Sequence, residues 1–321
     1  MADKEKTIAA MWPKASDFAV VAELVRAGLV ESRHHGIAAL VGPDGKLIDE
    51  IGRAKRLIFP RSSVKPLQAV ATTRLGAKLS GEHLAISCGS HQGTPEHIKL
   101  INEILAANGL SEANLQCPVS WPGDATARAK AAAETKQAFN CSGKHAGFLA
   151  ACVAAGFSTD NYLDPIHPLQ VKIREVLEDF AGEQILVTTP DGCGAPLHAL
   201  TVEGLARAIG RFAKEETEIA SAMLENAWAV DAIGTAGTLL MEAGFVAKLG
   251  AEGVFVVATG DGHGIAVKIA DGNLRAAPLV ALNLLLKHGL IEPAKHAELT
   301  EKIEVKVTGG SQITGKLRAI N

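Results

Sequence analysis

The chain sets a hydroxyl and an amine three residues apart in Arg61-Ser62-Ser63-Val64-Lys65-Pro66, a spacing that puts two side chains on one helical face. A lysine so placed can take the proton of the Ser62 hydroxyl as that oxygen attacks an acyl carbon. Leu67, Val70, Ala71, Leu75 and Leu79 recur behind it at helical spacing, which predicts an amphipathic helix against a core. Pro66 restricts its start, because deeper in the helix the ring would meet the carbonyl of Ser62. Ser62 is therefore expected at or just before the first turn. The pattern is not specific alone, since a capping serine followed by a solvated lysine reads the same way.

Other residues extend the chemistry. Ser90 lies in the glycine-rich stretch Ser87-Cys88-Gly89-Ser90-His91-Gln92-Gly93, and Lys268 lies in Gly264-Ile265-Ala266-Val267-Lys268-Ile269-Ala270. Strand alternation sets Lys268 with Ala266 and Ala270, opposite Ile265, Val267 and Ile269, the pattern of any half-buried strand. Serine acylases of the β-lactamase and penicillin-binding class combine Ser-x-x-Lys at a helix start with a second hydroxyl and a late-strand lysine facing the nucleophile. Ser62, Lys65, Ser90 and Lys268 are the candidates for those roles. Cys141, Lys144 and Cys193 form a second group, for which spacing alone fits buried apolar thiols better than ligands.

A protein of 321 residues that is 47% hydrophobic and 21% charged can bury a large core and form about two lobes. Its net charge of −3 lacks the basic excess that nucleic acid demands, so a small-molecule partner is expected. The charged start Met1-Ala2-Asp3-Lys4-Glu5-Lys6 leads into no apolar segment of signal-peptide type. The apolar run 146–157 is shorter than the roughly 18 residues a bilayer span requires. Five cysteines, an odd number in a large protein, argue for reduced thiols and a cytoplasmic location.

The elements that must hold these residues follow from the punctuation. Runs at 35–41 and 46–51, split by Gly42-Pro43-Asp44-Gly45, predict an early antiparallel hairpin. Helices are expected at 96–107, 125–137, 146–155, 197–213, 215–230 and 232–249, the last weakened by Gly234, Gly237 and Gly244. A short strand is expected at 185–189, and a second hairpin at 253–259 and 264–270. A third short strand should follow Asp271-Gly272, then a helix at 279–288. Strands at both ends around a helical middle predict an α+β fold, with an antiparallel sheet built from distant segments and helices packed on it. The expected organisation is one unit of two interleaved lobes, an α/β lobe from about 15–80 and 185–321 and a mainly helical region at about 81–184.

These blocks together resemble the Rhizobium etli-type (class 3) L-asparaginase family. The resemblance rests on the Arg61–Pro66 block, Ser90-His91-Gln92-Gly93 with Pro95-Glu96-His97, Asn140-Cys141-Ser142-Gly143-Lys144-His145, Asp191-Gly192-Cys193-Gly194-Ala195-Pro196, and Gly260-Asp261-Gly262 with Lys268. It implies a fold similar to the serine β-lactamases and penicillin-binding proteins. It also implies hydrolysis of L-asparagine to aspartate and ammonia through two Ser/Lys pairs, Ser62 with Lys65 and Ser90 with Lys268. By the same resemblance zinc is expected on Cys141, Lys144 and Cys193, substrate contacts from Arg61, His145 and Asp191, and a homodimer. Gln92 stands where relatives carry a small residue, which leaves glutamine side activity open, since one methylene is worth only about 1–3 kcal/mol. Two other readings remain at this point: a β-lactamase-like esterase or peptidase, and a non-catalytic zinc-containing binding protein.

Overall fold

The apolar run at 35–41 is the inner half of a long strand, β2 (Leu29–Val41), which is buried from Gly36 onward. It turns through Gly42-Pro43-Asp44-Gly45, where Gly42 N–H donates to the Lys46 carbonyl at 2.9 Å, into β3 (Leu47–Ile51). The computed structural model describes residues 8–320; the charged start at 1–6 lies outside them. β1 (Ala19–Arg26) precedes β2. Two short ladders lie apart, β4 (Leu57–Ile58) with β7 (Leu200–Thr201) and β5 (Thr188–Pro190) with β6 (Pro196–His198). The late strands are β8 (Val246–Gly250), β9 (Val254–Ala258), β10 (Gly264–Ile269), β11 (Lys306–Gly309) and β12 (Gln312–Ala319).

Eight of these strands make one sheet in the order β11-β12-β1-β2-β10-β9-β8, with β3 also on β2. Each ladder among the described residues is antiparallel. Strands from opposite ends of the sequence thus lie side by side, as expected for a sheet built from distant segments. The Val202–Glu215 helix packs on β10, β2 and β9, and the Ala277–Lys287 helix packs on β10 and β9. Both faces of β10 are consequently buried, Ala266 on one and Ile265 and Val267 on the other. The segments between β4 and β5 are helical: Lys65–Arg74, Gly81–Ser87, Pro95–Ala107, Ala125–Lys130, Ser142–Ala155 and Pro168–Ala181.

Several expectations are corrected. The helix at 125–137 ends at Lys130, and the next residues run back to bridge Thr135 with Ser120. Helix 232–249 does not form as one element: Ala236–Glu242 is helical, but 246–250 is β8. Alanine, lysine and leucine favour a helix weakly, and the ladder with β9 together with near-complete burial of Val246, Ala247 and Lys248 overrides that preference. The segment after Gly272 is a 3-10 turn (Leu274–Ala276) leading into a helix rather than a strand. A Pro293–Ile303 helix and the β11–β12 hairpin add to the expected elements.

Candidate active site

Ser62 sits in a 3-10 turn, Arg61–Val64, that runs directly into the Lys65–Arg74 helix with Pro66 in its first turn, where a ring without an N–H costs nothing. The turn lies against the sheet at Gly250, where an added Cβ would stand 2.4 Å from the Pro60 carbonyl oxygen. Only a residue without a side chain permits that approach. Arg61 takes φ +53, a left-handed conformation that is strained for a residue bearing a Cβ. Its guanidinium Nε donates to Asp191 Oδ1 at 2.8 Å. Asp191 is fixed in turn by the tight turn between β5 and β6, where its N–H donates to the Ala195 carbonyl and its Oδ1 accepts from Gly192 N–H.

Lys65 is buried, and its ammonium reaches to Ser90 Oγ at 3.1 Å, to the Gly89 carbonyl, and to the Asn140 carbonyl at 3.4 Å, so the expected Ser62–Lys65 hydrogen bond is not made and the two side chains share only the lining of one chamber. A second buried lysine, Lys248 on β8, donates to the same Ser90 Oγ at 2.9 Å. Ser90 is held from behind by its own N–H on the Val230 carbonyl at 2.7 Å, and Gly89 has no room for a Cβ beside the Ala229 carbonyl. One hydroxyl therefore bridges two amines. A serine has a single proton and two lone pairs, so it can accept from an ammonium while donating to a neutral amine.

Two cations this close disfavour each other, and burial disfavours both. Burial, and then the Lys65 charge, pull Lys248 from 10.5 down to about 7. Burial likewise holds Lys65 below the ordinary lysine value, partly offset by the Cys141 thiolate. The pair can thus hold one amine neutral near neutral pH.

The expected Ser90–Lys268 pair does not form. Lys268 donates to the carbonyls of Glu252, at 2.6 Å, and Ile269, at 2.5 Å. Lys248, Val256 and Ala266 are register partners across β8, β9 and β10, and Lys268 lies two residues beyond Ala266 on the same face. Two strand spacings and two residues separate the lysines by roughly 12 Å. Lys248 escaped notice because its segment reads as the end of a weakened helix, although Gly244 and Gly250 bracket a short run containing Val246 and Leu249. That glycine-bounded run is the signal that would have found it.

The sulfur group does assemble. Lys144 Nζ lies 3.0 Å from Cys193 Sγ, Cys141 Sγ lies 3.3 Å from Asn140 Oδ1, and the two sulfurs are near enough to shift each other's ionisation. The neighbouring Cys193 thiol, helped by the charges on Lys65 and Lys144, holds the Cys141 thiol well below its ordinary value despite burial. The proximity of Cys141, with burial, pushes Cys193 up. Burial alone would lower Lys144, but its interactions with the Cys193 and Cys141 sulfurs outweigh it and hold the amine above the ordinary lysine value. Two sulfurs and an amine therefore converge with one thiolate already favoured, a donor set suited to a soft, tetrahedral cation. Among the described residues, no cluster of three His, Cys, Asp or Glu side groups suited to a metal occurs, so a metal held by the two sulfurs would need a third donor of another type, for which Lys144 stands nearest to Cys193.

Ser62, Lys65, Lys144, Arg61 and Asp191 all line one enclosed chamber. Two residues missed at the sequence level share the wall, Gln68 and His198. The buried Gln68 Oε1 and His198 Nε2 have no hydrogen-bond partner among the described residues, and such groups are costly unless something pairs with them. His198 Nδ1 is bonded to Thr188 Oγ1 at 2.8 Å, and burial lowers its pKa to about 4, so the ring is neutral. His145 lies in the helix of Lys144, with Nδ1 at 2.8 Å from Tyr162 Oη and Nε2 buried without a partner among the described residues. His91 and His97 stack on each other and bond to Ser142 Oγ and the Trp228 carbonyl, apart from the sulfur group.

Comparison with known proteins adds a family. The model of the family described as L-asparaginase II matches residues 22–319. No curated protein matches the sequence. Among solved structures, "Mglu in its glutamate form" is 15% identical with a TM-score of 0.47, covering 90% of this protein and 67% of that one. "Mglu in its native form" is 15% identical with a TM-score of 0.45, covering 91% and 72%.

Proposed function

This chain belongs to the L-asparaginase II family and is an asparaginase-type amidohydrolase; from that premise we propose that it hydrolyses the amide of L-asparagine through an acyl-enzyme on Ser62, with Lys65, Ser90 and Lys248 as one proton relay. The observation that carries this reading is Ser90 Oγ held between two buried lysines, while Ser62 faces the chamber beside Lys65.

Ser62 attacks the amide carbon, and its proton enters the relay at Lys65, which must be neutral at that moment. The bridging hydroxyl passes charge between the amines, so one stays cationic while the other acts as base. The C–N bond then breaks as the relay returns a proton to the departing ammonia. Water attacks the aspartyl ester along the same path and gives aspartate. Arg61 and Asp191 receive the α-carboxylate and α-ammonium, replacing their mutual ion pair with two charge-assisted contacts. The unpaired Gln68 Oε1 and His198 Nε2, both on the chamber wall, support further polar contacts to the substrate, whereas His145, expected to touch it, is buried against Tyr162 and lines neither cavity.

Cys141, Lys144 and Cys193 would hold zinc, with Lys144 binding as the neutral amine. When bound, the ion supplies fixed positive charge on the chamber wall, and each chemical step still runs through the protein's own residues. The antiparallel sheet and the nucleophile at a helix start support a serine β-lactamase-like fold. The interleaved lobes, a homodimer and a cytoplasmic location belong to the same reading.

The test is ammonia release from L-asparagine beside L-glutamine, for the wild type and Ser62→Ala, with rapid quenching and mass measurement of the intact protein. Asparagine-dependent ammonia and a transient aspartyl adduct, both lost in Ser62→Ala, are expected. Full activity of Ser62→Ala would refute the acyl-enzyme.

A further inference from the structure

Outside the chamber lies a second cavity of about 450 Å³, and three residues, Arg61, Asp191 and Leu197, line both. The catalytic side belongs to the chamber alone, since Ser62 and Lys65 do not reach the outer cavity. Lys268 and Glu252 belong to the outer cavity alone. The chamber itself has a free volume of about 10 Å³, roughly the threshold for one water molecule. The chamber is therefore almost filled by its own side chains, whereas the outer side of the Arg61–Asp191 pair is open.

This arrangement gives the substrate a direction, an inference that rests on the asparaginase reading above. With the amide at Ser62 and the charged α-groups at Arg61 and Asp191, any group attached to the α-end must project into the outer cavity. There Lys268 presents a cation whose position is set. Two of its three N–H bonds go to the backbone carbonyls of Glu252 and Ile269, which leaves one for a ligand. It is half-buried on a strand, whereas Glu252 is exposed. A fixed, partly desolvated charge selects a partner better than a solvated one.

We propose that this cavity is a subsite for the second residue of asparaginyl dipeptides, Asn-Xaa, with the terminal carboxylate on Lys268 and the N-terminal ammonium on Asp191. The reaction is the same: one water adds, the C–N bond of the asparagine amide breaks, ammonia leaves, and Asn-Xaa becomes Asp-Xaa with its peptide bond intact. The reversed order, Xaa-Asn, would instead direct its ammonium towards exposed Glu252, and is the poorer substrate.

Ammonia release is measured from L-asparagine, Asn-Ala and Ala-Asn, with chromatographic identification of Asp-Ala, for the wild type, Lys268→Met and Lys268→Arg. Wild type should convert Asn-Ala to Asp-Ala faster than it converts Ala-Asn. Lys268→Met should lower kcat/KM for Asn-Ala by about tenfold or more, as for loss of one charge-assisted contact, and leave asparagine within about twofold. Lys268→Arg, which keeps the cation, should restore most of the loss. Turnover of asparagine without turnover of Asn-Ala overturns the subsite and leaves the asparaginase reading intact. Asn-Ala turnover equal in Lys268→Met, or a preference for Ala-Asn, removes Lys268 from the proposal. Failure of all three substrates defeats the proposed site chemistry and the subsite with it.

Discussion

Replacing Lys248 by methionine separates the lysine that the fold puts against Ser90 from the one that the sequence pattern suggests. Lys248 falls from 10.5 to about 7, which corresponds to about 5 kcal/mol of preference for the neutral amine. At pH 6 about a tenth of the molecules then carry it neutral and at pH 8 about nine-tenths, by the ordinary titration relation. If the relay needs that neutral amine, kcat/KM for asparagine rises about tenfold between pH 6 and 8, with an apparent midpoint shared with Lys65. Lys248→Met should lower kcat by about 100- to 10,000-fold, the range for loss of a positioned acid–base group, and erase the limb near pH 7. Lys268→Met should retain both limb and rate. The assay is steady-state ammonia release across pH 5.5–9 for the three proteins. Equal losses in both variants, or an unchanged limb in Lys248→Met, would refute the reasoning.

Further outcomes follow from the same contacts. Between pH 7 and 10.5 the unfolded state binds the Lys248 proton and the folded state does not, so this group makes wild-type stability rise with pH; Lys248→Met should flatten that rise in denaturant unfolding at pH 7 and 9.5. Asp191→Asn removes the partner of Arg61 and should raise KM for asparagine by about 10- to 100-fold, as for a lost charged hydrogen bond, with a smaller change in kcat. Gly250→Ala puts a methyl 2.4 Å from the Pro60 carbonyl; it should destabilise by about 1–3 kcal/mol and lower kcat, read by thermal melting and ammonia release, whereas an unchanged kcat would mean the Ser62 turn tolerates displacement. Elemental analysis should find zinc in the wild type and not in Cys141→Ser or Cys193→Ser; zinc-free wild-type protein of full activity would remove the metal from the proposal.

Residues whose local pattern matches their structure were legible in the sequence. Pro66 and the stripe behind it placed Ser62 at a helix start, and the Gly-Pro-Asp-Gly turn marked the β2–β3 hairpin. The juxtaposition of Cys141, Lys144 and Cys193 was available only through resemblance, because a helix and a β-turn some fifty positions apart carry no shared local signal. Lys248 was not legible because its strand exists by virtue of the ladder to β9, and a ladder is a long-range fact. Lys268 misled for the converse reason: it has the right strand type and the right face, but its distance along the sheet depends on register. Gln68 and His198 carry no motif, and their interest lies in unpaired atoms that only the folded chamber exposes.

The sheet also constrains how the protein is made. Ala39 on β2 finds its register partner in Ala266 on β10, and Ala22 on β1 finds its own in Ala319 on β12. A ribosome delivers the Ser62 turn long before β8 and β10 leave the exit tunnel, so the turn waits without the surface it rests on. Until then the nascent polypeptide holds β2 with an unpaired, apolar edge, a state prone to pairing with other molecules. Acid–base chemistry at Ser90 is withheld for the same interval, since Lys248 arrives with the last third of the sequence. Production of this protein should accordingly depend on holding nascent polypeptides apart, and slower synthesis or lower temperature should improve the soluble yield more than stabilising the helices would.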